Sequence, residues 1–297
     1  MKRIIDDEFL TMLEQRDLLV EHSMNGLFGG ERPVKKYGSS LDFADYREYI
    51  PGDDLRMIDL HLYERFEKLY LKLFNDERQM YHRIYVDASS SMDWGEPSKS
   101  EIAIKLAAAF AYLAVRSNDR VAISVIRRDT MQPLCPPFSG TEAFYRAANL
   151  LNRIKFGGEA DFGRALLAEE EPGRDDGISI VLSDFFTDTY KEAVDRLVYR
   201  GRKLHLIQIL SPEELMPDMR GKNFLRDSEA LGDDDVRNYK LTVSRQRIHA
   251  YKKAMEFHQN EMKDYCKNKD VGFFTVLTDT AIEQVLFSQA VEERLIV

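Results

Sequence analysis

From about residue 82 onward, short apolar runs alternate with helix-length amphipathic stretches, and this rhythm constrains the chain more than any other feature. Ile84-Tyr85-Val86 and the runs at 121–126, 178–182, 204–210 and 271–277 are nearly continuous in Val, Ile and Leu. Unbroken apolar runs of this length suit strands buried on both faces, as in a parallel sheet covered by helices. The intervening stretches at about 99–116, 141–152 and 190–199, with others starting near 162 and 281, read as those helices. Residues 131–138 carry Pro133, Pro136 and Pro137, which restricts any strand there to a sheet edge. The expected fold class is therefore α/β, a mostly parallel, doubly wound, Rossmann-like sheet spanning residues 81–297. A polar insertion at 211–242, with Pro212, Pro217, Gly221 and an acidic run at 233–235, interrupts the alternation and suits a small hairpin. A long mixed-charge helix over 243–268 follows it.

Residues 1–80 read as a small N-terminal α+β subdomain. Phe9, Leu10, Leu13, Leu18 and Leu19 space out a helix over 7–21, and residues 69–74 alternate as a half-buried strand does. Between them lie a Gly-studded loop at 26–30 and a charged segment at 42–59 with a Pro51-Gly52 turn. The net charge of −9 argues against a dedicated nucleic-acid binder. Cys135 and Cys266 stand too far apart to suggest a disulfide framework or a zinc knuckle, which fits a reducing compartment. No apolar stretch approaches the roughly 20 residues that a membrane-spanning helix needs. The charged first ten residues hold no signal-peptide core, so a cytoplasmic location without a direct membrane span is expected.

In open α/β sheets, ligands bind beyond the carboxyl ends of the strands. Two such ends here are acidic: Val86-Asp87-Ala88-Ser89-Ser90-Ser91-Met92, and Val181-Leu182-Ser183-Asp184. An Asp followed by hydroxyls at alternate positions can aim several oxygens at one point, which suits a hard cation that keeps part of its water. The plainer alternative is that Asp87 caps the turn after it while the serines satisfy loop amides. The two readings are compatible.

The Asp87-x-Ser89-x-Ser91 loop, with Ser183-Asp184 after a later strand, resembles the metal-ion-dependent adhesion site of von Willebrand factor type A domains. The resemblance implies that Asp87, Ser89, Ser91 and Asp184 hold a divalent cation, Mg²⁺ first and Mn²⁺ or Ca²⁺ as alternatives. It also implies a Thr in a second loop. Counting back from Ala165-Leu166 puts Ala160 at that place, which would weaken the metal unless the neighbouring Asp161 or Glu159 substitutes.

The run from Asp42 to Asp59, DFADYREYIPGDDLRMID, resembles the signature of the bacterial family called "domain of unknown function 58", with Leu60 where a Trp is usual. That resemblance implies a non-catalytic interaction protein working with a MoxR-type AAA+ ATPase and its client in protein maturation or remodelling. The charges of the signature suit either an ion-pair network at a domain seam or a partner surface. A metal-free scaffold and a metal-dependent hydrolase are the alternatives. Residues 95–100 lack the Gly before Lys99 that a phosphate loop requires, no Gly-x-Ser-x-Gly elbow is present, and the six histidines show no HExxH spacing.

Overall fold

The apolar runs form a six-stranded sheet, as their burial on two faces requires. The computed structural model describes residues 3–23, 43–74, 79–168, 177–187, 189–217, 221–226, 238–292 and 295. They fall into two units, Met1–Phe28 with Met80–Val297, and Gly29–Gln79.

The larger unit begins with α1 (Asp7–Ser23). Ile5, Phe9 and Leu13 are buried in its core, and the Asn152 side chain fixes the entry by accepting from the Ile4 and Ile5 amides at 2.9 and 2.8 Å. The first residues of the chain thus belong with the large sheet, although the sequence expectation grouped them with residues 29–80.

The smaller unit is β1 (Phe43–Glu48), α2 (Leu60–Phe66) and β2 (Tyr70–Phe74), with β1 antiparallel to β2. Its charges pair with one another. Asp53 takes Arg47 at 2.8 Å and the Ile50 amide at 2.9 Å; the Arg47 guanidinium foremost holds its acid below the usual carboxylate range. Asp54 caps the turn Leu55–Met57 through the Arg56 amide. Asp59 caps α2 through the His61 amide and also meets Tyr46 Oη at 3.0 Å and Lys72 Nζ at 3.2 Å. Each acidic position from 53 to 59 therefore stops or starts a turn of backbone, the work short carboxylates do at caps.

In the larger unit the chain continues through β3 (Tyr81–Asp87), α3 (Lys99–Arg116), β4 (Arg120–Arg127), β5 (Thr130–Pro133), α4 (Thr141–Leu151), α5 (Phe162–Ala168) and β6 (Gly177–Ser183). It ends with α6 (Tyr190–Tyr199), β7 (Lys203–Leu210), α7 (Pro212–Leu215), β8 (Gly221–Arg226), β9 (Asn238–Val243), α8 (Arg245–Asn268), β10 (Gly272–Leu277) and a helical stretch over 282–292. The large sheet has the order β10-β7-β6-β3-β4-β5, parallel except for the edge strand β5. The expected α/β class with a mostly parallel sheet is what forms, and the 211–242 insertion holds the antiparallel pair β8–β9.

Alternate residues of each central strand feed two cores. Ile84, Val86, Ile180 and Leu182 join α1, α3 and α4 on one face; Tyr85, Val181 and Leu206 join α5, α6 and α8 on the other. Burying one such side chain is worth about 1.5–3 kcal/mol, so these layers fix strand register firmly. At the amino ends of the strands Arg202 bridges the sheet, donating to Ser179 Oγ at 2.7 Å and to the carbonyls of Tyr81 and Ile178 at 2.8 and 2.9 Å. Gly177 sits beneath it, where an added Cβ would lie 2.2 Å from the Tyr81 carbonyl oxygen. Gly177→Ala is expected to destabilise the fold by about 1–3 kcal/mol, because backbone cannot step aside. Urea unfolding measures this, and an unchanged midpoint would contradict the packing described.

Candidate functional site

The connections after β3 and β6 leave in opposite senses. The chain passes from β3 through α3 to β4 on one side, and from β6 through α6 to β7 on the other. The carboxyl ends of two neighbouring parallel strands thereby open into a crevice with no crossover above it, the place where open α/β sheets receive ligands. The β3–β6 register aligns Val86 with Leu182, so Asp87 stands level with Ser183.

Asp87, Ser89, Ser91, Ala160, Phe162, Ser183, Asp184, Phe186 and Thr187 line a small polar cleft at that point. Asp87 Oδ1 accepts from the Ser89 amide at 2.9 Å, and Oδ2 accepts from Ser183 Oγ at 2.6 Å. Ser89 Oγ and Ser91 Oγ are 2.9 Å apart. The serine loop is clamped from the far side: Ser90 N donates to the Gly158 carbonyl at 2.8 Å, and Gly158 N donates to Ser90 Oγ at 2.6 Å. Gly158 does this at φ +78, a conformation that favours glycine. After Asp184 the backbone reverses through Phe185, a buried non-glycine residue at φ 55 packed edge-on to Phe162. Such strain collects at functional sites.

Burial first, and the Asp184 carboxylate second, push the Asp87 acid up from an ordinary 3.8 to about 6, against the pull of the Ser183 and Ser89 hydrogen bonds. Asp184 is 4% exposed and is balanced by Lys99, which is fully buried. Lys99 Nζ lies 2.9 Å from Asp184 Oδ2 and 2.6 Å from Glu214 Oε1.

Of the residues singled out from sequence, Asp87, Ser89, Ser91 and Asp184 meet in the cleft. Ala160 also lines it, held there by Arg128, which pairs with the 159–161 segment. Asp161 does not line it. Its carboxylate accepts from the Arg164 amide at 3.0 Å, capping α5, and from Thr189 Oγ1. Glu159 is exposed. The structure adds Thr187 to the lining, its hydroxyl 3.0 Å from Thr189 Oγ1, and Lys99 with Glu214 behind Asp184. The turn-capping alternative for Asp87 is also realised, through the Ser89 amide.

This donor set is oxygen throughout, as Mg²⁺, Mn²⁺ and Ca²⁺ require. Among the described residues no group of three or more His, Cys, Asp or Glu gathers about one point. A cation here would lean on two carboxylates, hydroxyls and water, with one carboxylate already shared by Lys99. Within those terms the residues fit a hard divalent ion.

The family model for "Protein of unknown function DUF58" matches residues 45–260. Uncharacterized proteins of Mycobacterium bovis and Mycobacterium tuberculosis are 24% identical over 233 residues, 76% of this chain and 73% of theirs. Among solved structures, BatB from Bacteroides thetaiotaomicron aligns with 18% identity over 73% of this chain and 98% of its own, at a TM-score of 0.43. An aerotolerance-related membrane protein from Bacteroides fragilis aligns with 16% identity over 73% and 96%, at 0.41. The SpRpn10 VWA domain aligns with 17% identity over 44% and 76%, at 0.33. The cytoplasmic expectation is corrected by these comparisons, since a structural neighbour is described as a membrane protein. That expectation rested on missing apolar spans and on a charged first ten residues without a signal-peptide core. Among the described residues no helix is long and apolar enough to cross a membrane, which leaves the compartment open.

The raised acid of Asp87 sets a sign for stability against pH. A folded-state value above the unfolded one gives stability that is complete below about pH 4 and lost as pH rises through about 6. Asp87→Asn keeps an acceptor for the Ser89 amide, and the Ser183 hydroxyl can turn to accept from the new amide. In chelator at pH 7 this variant should be more stable than wild type by an amount on the order of 1–3 kcal/mol, with the gain vanishing towards pH 4. Denaturant melts of both proteins across that range measure it; a variant less stable than wild type at pH 7 would contradict the electrostatics.

Proposed function

The chain belongs to the family described as protein of unknown function DUF58, and on that premise we propose that it is a protein-interaction module whose strand-end cleft takes a partner's carboxylate through a divalent cation. One observation carries this reading: two buried carboxylates from neighbouring strand ends, Asp87 and Asp184, face one small cleft lined with hydroxyls. Like charges placed together out of water are costly to the fold. A fold that keeps them gains from a positive ligand.

When bound, the cation supplies an open coordination position for an acidic side chain. The chain's own residues do the rest. Asp87, held by Ser89 N and Ser183 Oγ, presents its carboxylate at a fixed angle. Ser89 and Ser91 are kept side by side by the clamp on Ser90, and Thr187 offers the hydroxyl that Ala160 lacks. Phe186, 48% exposed, and Trp94, 54% exposed, leave aromatic surface near the serine and Asp184 loops for a partner to cover. Among the described residues no histidine lines the cleft, so the commonest proton acceptor for a serine nucleophile is not found there. We read the cleft as a binding site rather than a catalytic one. A MoxR-type AAA+ ATPase, or its client, is the partner we propose to supply the carboxylate.

A metal-free adaptor is the second reading, favoured by the Lys99 ion pair and by Ala160. Calorimetric titration with Mn²⁺ separates the two. The proposal expects one Mn²⁺ per chain, displaced by Mg²⁺ and lost on combining Ser89→Ala with Ser91→Ala. Absence of any binding at millimolar Mn²⁺ would reject the cation and leave the adaptor.

A further inference from the structure

Lys99 is the most unusual charge in the larger unit. It is the first residue of α3, directly after the N-cap Ser98, whose Oγ accepts from the Glu101 amide at 3.2 Å. The positive end of a helix dipole disfavours a cation at that position, and full burial disfavours it further. Neither cost is offset by packing that an apolar side chain could not provide. The compensation is specific: Asp184 Oδ2 at 2.9 Å, Glu214 Oε1 at 2.6 Å and the face of the Phe186 ring at 5.7 Å.

Those partners have different roles. Asp184 lines the cleft. Glu214 does not; it belongs to α7, where its Oε2 accepts from the amide of the N-cap residue Ser211 at 2.8 Å. Its backbone carbonyl accepts from Tyr251 Oη of α8 at 2.8 Å. One ammonium group is therefore divided between a cleft carboxylate and a structural one that is itself pinned on two sides.

We propose that Lys99 is the built-in counter-ion of the cleft and sets its affinity for a divalent cation, with Glu214 drawing part of the lysine's charge away from Asp184. This inference rests on the cation-binding reading above. Without a cation, Lys99 makes Asp184 tolerable inside the protein. With one, the buried Lys99 charge would oppose it through a poorly screened interior, so binding is weaker than two buried carboxylates alone would give. Glu214 moderates that opposition. The site is thereby tuned for reversible occupancy, and the strength of partner binding follows the local cation concentration.

The two residues must then act with opposite signs. Lys99→Met keeps the length of the stem and removes the charge. It should bind Mn²⁺ at least about ten-fold more tightly than wild type, since removing a like charge paired to a carboxylate of the cleft, in a medium of intermediate dielectric, is a large effect. It should also melt lower than wild type in chelator and recover more on adding Mn²⁺. Glu214→Gln retains an acceptor for the Ser211 amide and leaves Lys99 wholly to Asp184; it should bind Mn²⁺ several-fold more weakly. Counting free Mn²⁺ by electron paramagnetic resonance, alongside thermal melts with and without the ion, reads all of this. Wild type binding Mn²⁺ while Lys99→Met binds it equally or less tightly would overturn the role of Lys99 and spare the cation reading. No Mn²⁺ bound by either protein would overturn both. If Lys99→Met does not fold even with Mn²⁺ present, Glu214→Gln decides: affinity equal to or above wild type rejects the proposal.

Discussion

Ser183 Oγ donating to Asp87 Oδ2 at 2.6 Å joins the ends of two parallel strands, and the larger unit's candidate site depends on that junction. The bond exists because β3 and β6 are neighbours in register, and they are neighbours because the chain turns away from them in opposite senses. The core layers on the two faces hold that arrangement. A one-residue slip of β6 would turn Ile180 and Leu182 from one core to the other. The position of two charges is thus secured by hydrophobic packing many ångströms below them.

Much of the cleft works against the fold's stability. Asp87 is held in a neighbourhood that raises its acid, Phe185 adopts a left-handed conformation, and Lys99 sits buried at the wrong end of a helix. Each has a local compensation: a hydroxyl, an edge-on aromatic contact, a pair of carboxylates. The smaller unit shows the opposite economy. There Asp53, Asp54 and Asp59 each satisfy a turn or a helix start, so its dense charge is explained by local backbone needs.

The sheet was legible in the sequence because strands buried on both faces leave uninterrupted apolar runs, and helices between them leave a 3.6-residue spacing. Asp87, Ser89, Ser91 and Asp184 were legible because strand ends in such a fold converge. Position 160 followed from counting back along the α5 pattern. The rest was not, for physical reasons. Asp161 offered a carboxylate next to the missing Thr, yet the first turn of α5 takes it as a cap. β1 lies in a stretch too charged to show strand alternation. Lys99 at a helix start looks like any solvated lysine; only the approach of Asp184 and Glu214, 85 and 115 residues away, makes it an interior charge. Thr187 follows Phe186 in a loop whose direction depends on the reversal at Phe185.

Crystals grown with Mn²⁺ and measured at the manganese absorption edge would show directly whether the cleft holds a cation. A single anomalous peak is expected, bounded by the Asp87 carboxylate and the Ser89 and Ser91 hydroxyls, with Asp184 on its far side and still within reach of Lys99. A cleft showing no peak at saturating Mn²⁺, or coordinates in which the Asp87 and Asp184 side chains face away from each other, would contradict it.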